Sequence, residues 1–453
     1  MPPRADLSRP LWSQFLAFLA PMMLSNILQA LSGTINNIYL GQMIGTDALA
    51  AASVFFPIMF FFLSLVLGLG AGASVLIGQA WGAGDRKRVR DVAATTLTAA
   101  LVAGVAIAVA LTPAARMLMT ALGTPAAVLP GAVAYASVML AAMPVAFAFL
   151  LITQLLRGVG DTVTPLLALA VSISLSMVLT PALIRGWLGL RPLGVASAAC
   201  ATVAAWSATL VAMGFYLRWR RGPLMPDGRF WRAMRPDWRI LGQVLRLGVP
   251  SALQMVIMAL AEMVLLGLVN GFGPDATAAY GAVNQVLAYV QFPAMSIAIT
   301  VTILSAQAIG GGRTAMLGPI LRAGLLFNLA LTGTLVALAY LFSGQLVGLF
   351  ITRAAVIGQT QTLLHIVLWS AVAYGAALIL SGQMRASGVV MAPTALQVGC
   401  IALVEVPAAW WLSGRIGLDG VWIAYPTTFV AMLIGQALYF TLVWRRRPVL
   451  ALA

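Results

Sequence analysis

Two acidic residues lie deep inside long uncharged stretches of this 453-residue chain. Glu262 is surrounded by apolar residues in IMALAEMVLL (residues 257–266), and Glu405 lies in VEVP (residues 404–407). A carboxylate in an apolar environment is costly, and it usually faces a cavity where it binds an ion or a proton. Both acids are therefore candidates for ion coupling. The alternative is a structural contact, with a neighbouring helix for Glu262 and with an arginine for Glu405.

The segments that carry these acids have the length and composition of transmembrane helices. Hydrophobic residues make up 62% of the chain and charged residues only 8%, and the mean hydropathy is +1.00, unlike a soluble domain. Twelve gaps between the charged residues are nearly free of charge, and each is long enough for the ~20 apolar residues that cross a bilayer as a helix. We therefore predict an all-α polytopic membrane protein with twelve transmembrane helices.

The arginine and lysine positions predict how these helices are oriented. Twelve crossings place both termini on the same side, and if that side is the cytoplasm, 21 of the 26 basic residues lie on cytoplasmic segments. This asymmetry follows the positive-inside rule. We predict a multi-pass protein of the inner or plasma membrane with both termini cytoplasmic. Topology thereby explains the net charge of +15, and no nucleic-acid partner is expected.

The chain contains an internal repeat. GQAWGAG (residues 78–84) matches AQAIGGG (residues 306–312), and at the same offset Arg157 aligns with Arg385. Six helices per repeat give both repeats the same orientation, which is typical of secondary transporters with a substrate path between the halves. The predicted domains are an N-terminal bundle (1–217), an Arg-rich cytoplasmic linker (218–240) and a C-terminal bundle (241–453).

Several motifs, in order, resemble the multidrug and toxic compound extrusion (MATE) family. They are SNILQALSGTINNIYLGQMIGTDALAA (residues 25–51), GQAWGAGD, LLRGVGDTVTP (residues 155–165), and TP ahead of PLGVASAACAT (residues 192–202). The chain is most similar to the prokaryotic DinF-type branch, over residues 11–445. The resemblance implies a V-shaped pair of six-helix bundles that exports amphipathic, often cationic drugs, driven by inward flow of H⁺ or Na⁺. We expect the monomer to function.

Compared with that family pattern, the N-terminal half lacks the acids usually credited with proton coupling. Asn36 occupies the usual position of an Asp in the first helix, with Asn37 beside it, and Thr180 occupies the acidic position of the fifth helix. These side chains can hydrogen-bond a substrate or coordinate Na⁺ through oxygen, but they cannot carry a proton. They are predicted to line a substrate or ion cavity.

The resemblance therefore implies that coupling has moved to the C-terminal half. Glu262 lies one helical turn from the family's usual acidic position in the seventh helix, which is Met258 here, and Glu405 is expected to assist it. An Asp found in the tenth helix of another branch aligns with Tyr374. This tyrosine is a third candidate in the same half.

Three more polar residues are candidates on weaker grounds. Asn284 and Gln285 are predicted cavity residues, although amides inside membrane proteins also serve as hydrogen bonds between helices. His365, the only histidine, is a candidate pH sensor because imidazole titrates near neutral pH; a lone histidine is more often a structural residue.

The sequence argues against an enzyme. It contains no GxxxxGK[ST] phosphate-binding motif, and one His, two Cys and two membrane carboxylates offer no metal site or nucleophilic constellation. No cofactor is expected beyond H⁺ or Na⁺ as the coupling ion, and the expected partners are small organic cations and the lipid bilayer. The main alternative function is a lipid-linked precursor flippase of the same superfamily, which usually has more helices and a cationic cavity. A membrane scaffold and a gated channel are further alternatives.

Overall fold

The computed structural model describes residues 10–186, 193–220, 222, 224–225, 228–234, 237–348, 354–449 and 451–452. Several basic residues used for the predicted orientation, Arg4, Arg9, Arg191 and Arg353 among them, lie outside this part of the chain, as does some of the predicted linker. Within it the protein is helical and contains no strand.

The helices follow the predicted charge-free gaps closely. In chain order they are α1 (Leu11–Tyr39), α2 (Thr46–Ala83), α3 (Arg86–Leu111), α4 (Ala115–Ala121), α5 (Leu129–Ala141), α6 (Met143–Gly158), α7 (Val163–Arg185), α8 (Ala196–Trp219), α9 (Gly228–Ala233), α10 (Trp238–Asn270), α11 (Pro274–Gly310), α12 (Leu317–Phe327), α13 (Gly333–Leu341), α14 (Ser343–Gly348), α15 (Ala354–Leu368), α16 (Ser370–Ala386), α17 (Met391–Cys400), α18 (Val406–Ile416) and α19 (Leu418–Leu442).

Eleven helical segments of the described chain are long and apolar enough to cross a membrane. A twelfth span results if α5 and α6, which are bent by 55° at a short break, are taken as one. Helices dominate because lipid offers no hydrogen bonds, so each spanning segment has to satisfy its own backbone groups. The predicted all-α fold with twelve spans is confirmed.

Irregular turns interrupt the spans at definite places. In the described part of the chain there are three π-helical turns, at Leu40–Ile44, Asn328–Thr332 and Ile401–Glu405. A π turn inserts one extra residue into a helix and is often found at functional sites. The third turn ends at Glu405, one of the two membrane acids.

The GVGDT segment (residues 158–162) forms a turn between two helices. Between the end of α6 and the start of α7, Gly160 has a φ of 91°, a conformation that glycine adopts without strain. The Asp161 side chain then accepts hydrogen bonds from the Thr164 backbone N–H (2.9 Å) and hydroxyl (2.6 Å). Asp161 thus satisfies a backbone donor at the start of α7.

The described chain divides into two compact units. The first contains Leu24–Trp81 and Asp85–Ala252, and the second contains residues 10–23, Gly82–Gly84 and Leu253 onward. The division falls inside α1, α2 and α10. These units are defined by packing, whereas the predicted domains 1–217 and 241–453 are defined by the repeat. The domain boundaries therefore stay a prediction.

Small residues allow close packing within each unit. In the first, α3 packs on α6, and a Cβ on Gly104 would lie 2.8 Å from the Pro144 Cα. In the second, α11 packs on α16, and a Cβ on Gly382 would lie 2.8 Å from the Ala298 carbonyl oxygen. Close backbone approach of this kind is how helices gain packing energy in lipid, where the hydrophobic effect between helices is absent.

Candidate functional site

Glu405 occupies an irregular stretch of the second unit. It is the last residue of the π turn Ile401–Glu405, and its side chain is only 6% exposed. Pro407 follows at the start of α18. Proline has no N–H, and its ring clashes with the carbonyl four residues earlier, so a regular helix through this point is unfavourable. The π turn is the local solution, and it sets the direction of the Glu405 side chain.

Glu262 lies on a regular part of α10 and is exposed. Three residues on an adjacent stripe of the helix surface, Ala261, Leu265 and Val269, are buried in the core of the second unit. The spacing of four between them is the helical repeat that carries a buried stripe. Glu262 is next to this stripe, so its carboxylate is close to the protein interior while staying accessible.

The structure places the two acids within electrostatic range of each other. Glu262 and Glu405 interact electrostatically with each other, and both act on Tyr280, Tyr374 and Tyr425. We call these five residues the acid–tyrosine cluster. Among the described residues, no arginine contributes to the electrostatic environment of either carboxylate. The alternative that Glu405 is a structural partner for an arginine therefore finds no support in this part of the chain.

Aromatic side chains enclose the cluster. The hydroxyl groups of Tyr280 and Tyr425 are 3.0 Å apart and share a hydrogen bond. Tyr374 packs against Phe429 with ring centroids 4.6 Å apart, and Trp422 packs against both Tyr280 and Tyr425. Rings packed against one another have few alternative positions, which holds the hydroxyl groups in place.

Sequence reasoning found Tyr374 but missed the other aromatic residues. Trp422, Tyr425 and Phe429 recur on α19 at spacings of three and four, so they share one face of the helix. That spacing is the signal that was available. It could not identify the site, because an aromatic stripe is equally typical of an apolar core.

The remaining candidates of the second unit divide into two groups. Asn284 lies one turn from Tyr280 on α11 and forms a side-chain hydrogen bond with it, while the neighbouring Gln285 is exposed. His365 is placed elsewhere, at the end of α15, where its Nε2 lies 3.1 Å from the Ser343 hydroxyl. Its predicted role as a pH sensor stays a prediction.

The first unit contains a separate polar cavity of about 300 Å³. Asn36 and Asn37, both predicted cavity residues, line it together with uncharged partners that the sequence did not single out. The other lining residues are Leu40, Ala52, Ser53, Phe56, Tyr135, Ala198 and Thr202. The cavity offers amide and hydroxyl groups and aromatic faces, which suit hydrogen bonding and contact with an organic molecule.

Thr180 is not among the residues that line this cavity. It is fully buried in α7, and its hydroxyl has no hydrogen-bond partner in the described part of the chain. A buried hydroxyl without a partner is uncommon, since its desolvation is not compensated. The role predicted for Thr180 stays a prediction.

The acid–tyrosine cluster has the chemistry of a cation site. Two carboxylates, three phenolic hydroxyls and the Asn284 amide provide oxygen atoms, which bind protons or hard cations such as Na⁺. Within the described residues, no group of three or more His, Cys, Asp or Glu side chains could hold a metal ion.

The chain is similar to known proteins along almost its whole length. The MatE family model matches residues 21–182 and again residues 250–411, so the family unit occurs twice in the chain. The probable multidrug resistance protein YoeA of Bacillus subtilis is 39% identical over 98% of this chain and 96% of its own length. The multidrug export protein MepA of Staphylococcus saprophyticus is 23% identical over 89% and 88% of the two chains.

Solved structures show the same fold. A MATE transporter crystallised in complex with MaD3S superposes with a TM-score of 0.87 at 24% identity, covering 96% of this chain and 97% of that one. A MOP-superfamily transporter from Pyrococcus furiosus, described as having a binding pocket of reversed polarity, superposes with a TM-score of 0.86 at 25% identity and covers 95% of each chain.

Proposed function

This chain belongs to the MatE family, and we propose that it exports amphipathic, cationic compounds in exchange for H⁺ or Na⁺. The relatives named as multidrug resistance and multidrug export proteins support a drug as the exported compound. A secondary transporter needs no enzymatic activity and no bound cofactor, because the ion gradient supplies the energy. We also propose that one chain is the functional unit, since the family unit occurs twice within it.

The observation that carries this proposal is the electrostatic interaction between Glu262 and Glu405. Two nearby carboxylates repel each other when both are ionised, and the repulsion is strong where the surroundings are apolar. A cation between them, whether H⁺ or Na⁺, relieves that repulsion. A positively charged drug relieves this repulsion as well, so the ion and the drug compete for the same two carboxylates.

Competition of this kind is what exchange requires. A ligand shifts a conformational equilibrium only by the difference between its affinities for the two states. We propose that the coupling ion favours one facing state of the transporter and the drug favours the other. The two acids are held differently, one on a regular helix and one in a π turn. A conformational change in the π turn would change the distance between the two acids, and with it the affinity for a cation.

We propose that the polar cavity of the first unit binds part of the drug. Asn36 and Asn37 give it amide groups, and Phe56, 65% exposed, gives it an aromatic face. Because no lining residue is charged, this cavity would select by shape and hydrogen bonding. A broad range of substrates is expected from such a site.

The test is transport by the purified full chain in proteoliposomes. Uptake of the fluorescent cation ethidium is measured with an imposed proton gradient, and separately with an imposed sodium gradient. The wild-type protein is expected to respond to one of them. Glu262→Gln and Glu405→Gln keep the side-chain shape but remove the charge, and each is expected to lower gradient-driven transport by about tenfold or more, equivalent to ~1.4 kcal/mol.

Asp419→Asn is the matched control. Asp419 is an exposed acid in the first turn of α19, outside the acid–tyrosine cluster. This variant is expected to transport at the wild-type rate. Full gradient-driven transport by Glu262→Gln would contradict the assignment of the coupling site. Absence of ethidium transport by the wild type under either gradient would contradict drug export itself.

A further inference from the structure

Helix α7 forms one wall of a groove in the first unit, which has a volume of about 230 Å³. The lining residues on this helix are Thr164, Leu167, Ala168 and Val171. Their spacing of three and four places them on one face of α7. Thr164 and Ala168 are buried and form the floor of the groove, whereas Leu167 and Val171 are 49% and 45% exposed and form its rim.

Helix α8 forms the other wall with the same spacing. Its lining residues are Thr209, Ala212, Met213 and Tyr216, and α8 packs directly on α7. The small side chains of Ala212 and of Ala168 on the facing helix leave space between their larger neighbours. We call this cavity the α7–α8 groove.

The groove starts at the ends of its two helices and runs inward. Thr164 is the second residue of α7, and Tyr216 lies in the last turn of α8, so both mark the same end of the groove. The interval from Thr164 to Val171 corresponds to ~10 Å at the helical rise of ~1.5 Å per residue. Because the hydrocarbon core of a bilayer is ~30 Å thick, the groove lies within one leaflet.

The mouth at this end is aromatic and positively charged. Arg220 follows directly after α8, and its guanidinium carbon lies 5.1 Å from the centre of the Tyr216 ring, which lines the groove. Arg218 is in the last turn of α8, and Trp219 beside it is 80% exposed. Exposed tryptophan at a helix end is typical of the membrane–water interface, and the predicted orientation places this end on the cytoplasmic side.

One carboxylate lies at the same end of the groove. Asp161 accepts hydrogen bonds from the Thr164 backbone N–H (2.9 Å) and hydroxyl (2.6 Å). It offsets one of the two arginine charges, so these three residues leave the mouth positive. A cationic drug is disfavoured at such a mouth. An apolar groove with a cationic mouth instead fits an amphipathic anion, and the anionic phospholipids of the cytoplasmic leaflet have that chemistry.

We propose that the α7–α8 groove binds one acyl chain of an anionic phospholipid, whose phosphate pairs with Arg220 while Arg218 adds to the positive potential. Basic residues at the cytoplasmic end of a cleft between transmembrane helices are a recurrent headgroup site. An arginine–phosphate contact is a charge-assisted hydrogen bond. Tyr216 connects the two parts of the site, because its ring lines the groove and also contacts Arg220. The site does not depend on the proposed transport function.

The test is thermal unfolding of the purified full chain in a non-ionic detergent at constant ionic strength. Dioleoyl phosphatidylglycerol is the probe, and dioleoyl phosphatidylcholine, with the same acyl chains and no net charge, is the comparison. A bound ligand stabilises the folded state in a saturable way. The melting temperature is expected to rise further with phosphatidylglycerol and to level off. Inorganic phosphate alone is expected to have no effect, because it lacks the acyl chain.

Two variants test the two parts of the site separately. Arg220→Gln removes the charge at the mouth, and Ala212→Phe fills the groove; each is expected to abolish the extra stabilisation by phosphatidylglycerol. Arg415→Gln is the control for charge, since Arg415 lies 4.2 Å from the Trp411 ring centre in the last turn of α18. Val211→Phe is the control for the added ring, since Val211 is exposed on α8 and does not line the groove. Both controls are expected to keep the response.

Three results would overturn the proposal. The first is an equal rise in melting temperature with the two phospholipids, which would mean general solvation by lipid. The second is a rise of the same size with inorganic phosphate, which would mean a site for a free anion. The third is a full response in Ala212→Phe, which would mean that the arginines attract the lipid without the groove. If Arg220→Gln fails to fold, the Ala212→Phe variant and the comparison of lipids still decide the question.

Discussion

Glu262 and Glu405 show how differently two acids of one cluster can be held. Glu262 is exposed on a regular helix, whereas Glu405 is buried at the end of a π turn. Neither is paired with an arginine among the described residues. Tyr280, Tyr374 and Tyr425 lie within electrostatic range of both acids, and tyrosine can both donate and accept a hydrogen bond. Such partners suit a site that has to work with and without a bound cation.

The Tyr280–Tyr425 hydrogen bond gives a prediction at the scale of single residues. Tyr280→Phe and Tyr425→Phe each remove one hydroxyl of the same 3.0 Å contact. Each is expected to destabilise the protein by about 1 kcal/mol, the usual net contribution of a hydrogen bond. Because both changes remove the same bond, the double variant is expected to lose no more than the worse single variant. Thermal unfolding in detergent measures this, and additive losses would refute the coupling.

The π turn before Pro407 determines the local geometry of the helix that carries Glu405. The extra residue of a π turn rotates everything that follows by ~100° relative to a regular helix with 3.6 residues per turn. The turn therefore determines on which side of the helix Glu405 lies. Its position next to a proline gives it a physical cause in the sequence.

Replacing Pro407 is expected to raise the stability of the protein and to lower its transport activity. Pro407→Ala restores a backbone donor and removes the ring, so α17 and α18 can join as one regular helix. An interior proline costs ~3 kcal/mol relative to alanine, so the melting temperature should rise. Transport should fall, because Glu405 rotates away from Glu262. Paired measurements of unfolding and ethidium transport test this, and unchanged transport would mean that the π turn does not position Glu405 for coupling.

Helix packing in the second unit gives a second prediction at the scale of elements. A Cβ on Gly420 would lie 2.7 Å from the Ser413 backbone nitrogen and even closer to the Leu412 backbone, which cannot move aside as a side chain can. Gly420→Ala is expected to cost about 2 kcal/mol through the forced separation of α18 and α19. Gly267→Ala on α10 is the control, since nothing lies within 4 Å of its added methyl.

The control should instead be neutral or stabilising by up to about 1 kcal/mol, because alanine favours a helix over glycine. Melting temperatures of the two variants in the same detergent test the difference. Equal effects would show that the close contact at Gly420 does not limit the packing of these two helices.

For the molecule as a whole, the number of membrane spans determines on which side of the membrane each basic residue lies. The described helices supply eleven spans, or twelve with the bent pair α5 and α6. Twelve is the count at which 21 of 26 basic residues fall on one side. An odd count would place the termini on opposite sides and remove most of this asymmetry.

Reporter fusions test the predicted orientation. With both termini cytoplasmic, green fluorescent protein fused to the C-terminus is expected to fluoresce. Alkaline phosphatase inserted after Gly273, between α10 and α11, is expected to be active because that loop lies outside. The same reporters exchanged between the two sites serve as controls and should be silent. Active phosphatase at the C-terminus would contradict the predicted orientation.

The sequence by itself determined the spans, the repeat and the family resemblance, because hydropathy and motif order are local properties that survive without knowledge of packing. It also singled out Glu262 and Glu405, since a charge in an apolar segment is conspicuous. Only the tertiary structure decided that these two acids lie within electrostatic range of each other and of three tyrosines, and that His365 lies elsewhere. Residues far apart in sequence are brought together by packing of helix faces, and at Glu405 by a π turn, neither of which hydropathy encodes.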